Sequence, residues 1–132
     1  MLEFIPLSTF SDTVLLVVRL LAGVTMIYYG WPKIKDLQAN AKNFENMGFK
    51  PGWLHGTIVA AVEFFGGIGI MIGLLTWIPA AAFGFEMLMG AAWKITKTDK
   101  PFTDWSYDLL LLVLMLILLT FGPGAYAVTA LL

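Results

Sequence analysis

The chain has 132 residues, of which 59% are hydrophobic and only 13% charged, with a formal net charge of −1 and no cysteine. So little charge excludes a soluble domain, which would expose too much apolar surface, and the absence of a basic run leaves no footing for nucleic acid. Missing thiols exclude disulfides, thiolate metal sites and iron–sulfur ligation within the chain, and the single histidine, His55, excludes haem held by two histidines of one chain.

A spanning helix needs about 20 mostly apolar residues. Four segments meet that requirement, at about residues 13–31, 54–75, 78–95 and 105–121. Residues 1–12 lack the basic region of a signal peptide, so the first apolar run is expected to be a retained helix. Pro79 suits the first turn of the third span, where its missing N–H costs nothing. Gly122-Pro123-Gly124 ends the fourth, and the short apolar tail beyond it is expected to return along the interface or pack on the helices. No repeat or composition break divides the chain, so residues 1–132 read as a single transmembrane domain: an all-α, integral membrane four-helix bundle.

Charge sets the orientation. All seven lysines (Lys33, Lys35, Lys42, Lys50, Lys94, Lys97 and Lys100) fall between the first and second spans or between the third and fourth. The other side carries Glu3, Asp12 and a lysine-free hairpin. The excess of positive charge inside places both lysine-bearing loops in the cytoplasm and both termini outside. Between the first two spans, Ile34, Leu37, Ala41 and Phe44 recur at helical spacing, which predicts a short amphipathic interfacial helix over about residues 34–47, ended by Gly48.

Each span also carries an ionisable residue: Arg19, Glu63, Glu86 and Asp108 in order. A charge near the bilayer centre costs on the order of 2.5–3.5 kcal/mol, so such residues face the interior and mark function by default. At 1.5 Å per residue, Arg19 lies roughly 10 Å from the outer side, Glu86 roughly 12 Å and Glu63 roughly 18 Å. An inward-reaching Arg19 is therefore expected to meet Glu63, Glu86 or both. Asp108, one turn into the fourth span, belongs to a separate, cytoplasmic layer. The stripes Arg19–Gly23–Met26–Gly30, Glu63–Gly66–Gly67–Ile70–Gly73 and Glu86–Gly90–Trp93–Lys97 combine these charges with small residues that let helices approach closely. Two readings stand side by side: a structural Arg19–Glu pair that fixes helix order, or a proton or ligand site. One base against two acids leaves an acid without a cation, and such a carboxyl is able to carry a proton.

The five tryptophans, Trp31, Trp53, Trp77, Trp93 and Trp105, all lie near span ends, as an aromatic belt requires. Trp93 is also placed to stack on a flat ligand. His55 opens the second span at the cytoplasmic surface and reads as solvated.

Several of these segments together resemble the DoxX family of small four-helix membrane proteins. They are Arg19-Leu20-Leu21-Ala22-Gly23, Tyr29-Gly30-Trp31-Pro32-Lys33, Asn46-Met47-Gly48-Phe49-Lys50-Pro51, Glu63-Phe64-Phe65-Gly66-Gly67, Gly73-Leu74-Leu75-Thr76 and the closing Gly122-Pro123-Gly124. One departure is Trp77, where the family usually carries an arginine, which leaves the outer hairpin neutral. The resemblance implies a membrane subunit of an oxidoreductase system linked to quinone, located in the cytoplasmic membrane of a prokaryote. Arg19 and Glu63 would couple protons beside the quinone. With no cysteine and one histidine, the chain has no intrinsic cofactor and no metal site, and electrons must come from a redox partner or a diffusible donor. It is not expected to be an enzyme by itself. Two other readings are a non-catalytic assembly protein and a proton-coupled carrier built as a homo-oligomer.

Overall fold

The computed structural model describes residues 7–128. Glu3 and the last four residues of the tail lie outside the described residues. After a short 3-10 turn at Leu7–Phe10 come five α-helices, with no strand among the described residues: α1 (Ser11–Lys35), α2 (Leu37–Asn46), α3 (Gly52–Ile72), α4 (Trp77–Lys97) and α5 (Phe102–Phe121). Three of them, α1, α3 and α5, are long and apolar enough to cross a membrane. α4 matches α3 in length but carries Glu86, Lys94 and Lys97 and is less apolar. Large apolar side chains such as Leu21, Phe65, Phe85 and Leu110 are exposed on the outside. A contiguous apolar surface of this kind needs lipid around it, so the chain is an integral membrane protein.

The first helix runs further than its sequence suggests. α1 continues through Pro32, whose carbonyl accepts from the Asp36 N–H at 3.3 Å. It stops at Asp36, which is extended (φ −141°) and turns its Oδ1 to the N–H of Ala39 at 3.1 Å. A side-chain oxygen satisfying an orphan N–H is the usual start of a helix, so the amphipathic helix begins at Leu37, three residues later than its apolar pattern predicts. α2 also rests on protein rather than on lipid alone. Buried Asn40 donates to the Gly56 carbonyl at 2.8 Å, and Gly52 and Gly56 let α2 settle on the first turns of α3.

The four long helices share one core of Ala22, Met26, Ile70, Ala80, Phe83, Leu111, Met115 and Leu118. Their register is fixed where glycines allow backbones to touch. A Cβ on Gly67 would meet the Gly23 carbonyl oxygen at 2.8 Å, and one on Gly30 would meet the Phe64 nitrogen at 2.6 Å. Residues 23 and 30 of α1 thus oppose residues 67 and 63–64 of α3, an antiparallel pairing. Gly84 against Met115 and Lys94 against Asp108 make α4 and α5 antiparallel likewise. α3 ends at Gly73 in the left-handed conformation (φ +76°), with Gly73 N bonded to Ile70 O and Leu74 N to Gly69 O. This pair of bonds is the Schellman arrangement that glycine favours, and the chain re-enters α4 only four residues later.

Candidate functional site

The ionisable residues fall into two groups at opposite ends of the molecule. The first is built around Arg19, which is fully buried. Its Nη1 donates to the carbonyls of Met71 at 2.9 Å and Ile70 at 3.4 Å, and its Nη2 donates to the carbonyl of Tyr126. The last carbonyls of a helix lack intrahelical donors and carry the negative end of its dipole. Arg19 therefore caps α3 and ties down the returning tail. Asp12 completes the tie by accepting from the Ala125 N–H at 3.0 Å, and Ala127 packs against Gly73. The described part of the tail, up to Val128, is held on the helices.

The expected contact of Arg19 with an acid is not made. The pairing of Gly23 with Gly67 sets Arg19 opposite Met71, eight residues and about 12 Å from Glu63 along α3. Helical side chains also lean toward their own N-terminus. In α1 that is the Ser11 end, so Arg19 leans away from Glu63 and toward the carbonyls. The question of whether Glu63 or Glu86 pairs with Arg19 thus has the answer that neither does.

The second group surrounds a cavity of about 330 Å³ at the lysine-bearing end. α1 supplies Tyr29 and Lys33, α3 supplies Val59 and Glu63, and α5 supplies Tyr107 and Asp108. α4 contributes Glu86, Met87, Met89, Gly90, Trp93 and Lys94, while Phe44, Met47 and Phe49 cover the mouth from α2 and the loop after it. Lys33 forms an ion pair with Glu63, whose side chain is 2% exposed. Lys94 pairs with Asp108 at 2.9 Å. Glu86 has no ion-pair partner among the described residues and lines the same cavity as Glu63. Tyr29 and Tyr107 are neighbours, with ring centroids 6.2 Å apart.

Of the residues singled out from sequence, Glu63, Glu86, Asp108 and Trp93 come together here and Arg19 does not. Asp108 belongs to the same cavity as the two glutamates, not to a layer of its own. α5 begins at Phe102, which sets Asp108 six residues or roughly 9 Å into the helix, where Lys94 reaches it. Sequence reasoning missed Lys33, Lys94, Tyr29 and Tyr107. Both lysines serve there as markers of orientation, and Tyr29 and Lys33 also as part of a family-like segment, but none of the four as site residues. Yet each lysine lies at the C-terminal end of its helix, and the lean toward the N-terminus turns it inward, which was the available signal. His55 lies outside the cavity lining, with its Nδ1 3.0 Å from the Pro51 carbonyl oxygen.

Chemically, the cavity sets three carboxyls against two ammonium groups within aromatic and thioether walls. One acid is left without a cation. Such a chamber is suited to hold a flat, partly polar molecule and to exchange a proton with it. Its volume is at the lower end of the ~300–1,000 Å³ of small-molecule sites.

Fold and site together define a small all-helical membrane protein with ionisable groups gathered inside it at one end. The chain belongs to the DoxX family, whose sequence profile matches residues 14–96, from the first turn of α1 almost to the end of α4. Gly122-Pro123-Gly124, which the sequence resemblance took in, lies beyond the matched stretch, as does α5. No curated protein and no solved structure matches the chain.

Proposed function

We propose that the chain is a quinone-binding membrane subunit of an oxidoreductase system. In this reading all four long helices cross the cytoplasmic membrane of a prokaryote, with the lysine-bearing end inside and both termini outside. α4 crosses despite its charges because Glu86 and Lys94 turn into the cavity rather than to lipid. The observation that carries the proposal is the surplus of one carboxyl over the lysines in a single aromatic-lined cavity.

Reduction of a quinone to a quinol takes up two electrons and two protons. The electrons come from a partner protein bearing a metal or flavin centre, since this chain has neither thiols nor paired histidines. The protons need carriers beside the ring. Glu86, which has no cation of its own, is the first carrier, and the Lys33–Glu63 pair beside it carries the second proton, on the Lys33 ammonium. Lys33 and Lys94 hold the other negative charges and donate to the ring's carbonyl oxygens. Trp93 stacks on the ring face. Arg19 has no part in this chemistry; it holds the outer end of the fold.

The test is mass spectrometry of the complex gently extracted from its native membrane, reading bound subunits and lipid-soluble molecules together. The expected result is a retained quinone or a stoichiometric redox partner, with quinone retention reduced in Trp93→Ala. A bare chain or homo-oligomer carrying only phospholipid would sink the proposal and return the assembly-protein and carrier readings to the front.

A further inference from the structure

The seam between α3 and α4 holds a second hollow. It measures about 370 Å³ and is lined by Val62, Gly66 and Gly69 of α3, by Ile78, Pro79 and Ala82 of α4, and by other apolar residues; no charged side chain lines it. It is in line with the cavity. On α3, Val59 of the cavity is followed by Val62, Gly66 and Gly69 at steps of three, four and three. On α4, Gly90 and Glu86 of the cavity are preceded by Ala82 and Pro79 at steps of four, four and three. Such spacing keeps residues on one helix face. From Glu86 to Pro79 the track runs about 10 Å at 1.5 Å per residue. One seam thus joins a polar, aromatic chamber at the lysine end to an apolar groove toward the other end.

The groove opens toward lipid. Phe65 on its rim is exposed. Behind it the two helices touch, since a Cβ on Gly66 would meet the Pro79 Cβ at 2.9 Å. Gly69 is open, with only the Leu74 carbonyl oxygen near its missing Cβ, at 3.4 Å. A chain lying in the groove would therefore run over Val62, Gly69 and Ala82 on the membrane side of the Gly66–Pro79 contact.

A polar end and an apolar end in one line select a ligand with the same division. We infer that the α3–α4 seam is the binding track for the tail of an isoprenoid quinone, which enters sideways from the membrane with its head in the Glu63–Glu86 cavity and its tail in the Val62–Ala82 groove. This rests on the quinone reading of the cavity. Because the groove is no more apolar than lipid, it adds little hydrophobic drive. Its contribution is to hold the tail, which raises the effective concentration of the head at the cavity.

The experiment uses the full chain in lipid nanodiscs and reads quenching of tryptophan fluorescence by two benzoquinones with the same head, one without a tail and one with a ten-carbon tail. Affinities are compared at equal mole fraction in the lipid, which removes the effect of partitioning. The tailed quinone is expected to bind about tenfold tighter, equivalent to one decade in dissociation constant. Ala82→Leu fills the groove and is expected to erase that difference; Ala61→Leu on the opposite wall makes the same test if the first variant does not fold. If the head binds and the tail adds nothing, or if the advantage survives both substitutions, the inferred track is wrong while the cavity's reading stands. If neither quinone binds saturably, the quinone reading itself falls, and the track with it.

Discussion

Replacing Lys33 by methionine and Glu63 by glutamine, singly and together, measures whether the pair at the cavity is real. A parallel cycle with Arg19→Met measures whether the arginine is independent of it. Residues in contact show coupling of about 0.5–3 kcal/mol in such cycles, and residues more than about 7–10 Å apart are nearly additive. Glu63 is almost fully buried while the Lys33 side chain is 29% exposed. Partial screening on the lysine side puts the Lys33–Glu63 coupling at about 1–2 kcal/mol, below the full range for a charged hydrogen bond. Arg19 lies opposite Met71, about 12 Å from Glu63 along α3, so the Arg19–Glu63 cycle should be additive to within about 0.5 kcal/mol. Arg19→Met alone should still be costly. The part-buried carbonyls of Met71 and Tyr126 lose this donor, at about 1 kcal/mol each, the low end of the range for an acceptor left unsatisfied. Reversible unfolding in mixed micelles, with rising SDS and far-ultraviolet circular dichroism as the readout, gives all the required free energies. An Arg19–Glu63 coupling as large as that of Lys33–Glu63 would refute the register and side-chain directions on which the site rests.

Two further outcomes follow from the packing. Gly67→Ala should destabilise by about 1–3 kcal/mol through overpacking, because its Cβ would sit 2.8 Å from the Gly23 carbonyl oxygen. Gly69→Ala should be neutral or slightly stabilising, since its Cβ has room and alanine is the better helix former by about 1 kcal/mol; the same SDS titration compares the two, and equal losses would contradict the α1–α3 crossing. Asn40→Leu removes the hydrogen bond to the Gly56 carbonyl and should speed amide hydrogen exchange across Leu37–Asn46 while leaving α5 unchanged. Unchanged exchange there would mean that α2 is held by lipid rather than by α3.

Much of this was legible in the sequence, because a membrane solvent makes one strong demand. Long apolar runs must be helices there, so the helices themselves were easy to find. The buried charges stood out for the same reason. What one chain could not give was register. Arg19 and Glu63 look close when depth is counted from estimated span ends, and errors of a few residues at each end move them by a turn or more. The contact that decides the matter is Gly23 on Gly67, and nothing in either stripe says which glycine meets which. The end of α1 was misjudged for a local reason. Pro32 looks like a stop, yet so close to the C-terminus it removes only one backbone bond, and Asp36, able to end one helix and cap the next, is the true boundary.

The position of the cavity follows from the same connections. Glycine contacts hold α1 against α3 and bring α4 close to α5. The α3–α4 seam has no such contact along its length beyond Gly66 and Pro79, and the four-residue turn after Ile72 pinches only the end it joins. At the lysine end, the start of α3 and the end of α4 are not joined to each other, and nothing in the chain forces them together. The seam opens there, and α2 with Phe44 and Met47 fills the mouth in place of a helix contact. Charged groups collect at that end for the same reason. Lysines at the C-terminal ends of α1 and α4 lean inward, into the room the helices leave there, and the acids that meet them are spared contact with lipid. At the other end Arg19 and Asp12 are taken up in holding α3 and the tail together, so the ionisable groups that line a cavity are those at the end that the topology keeps open.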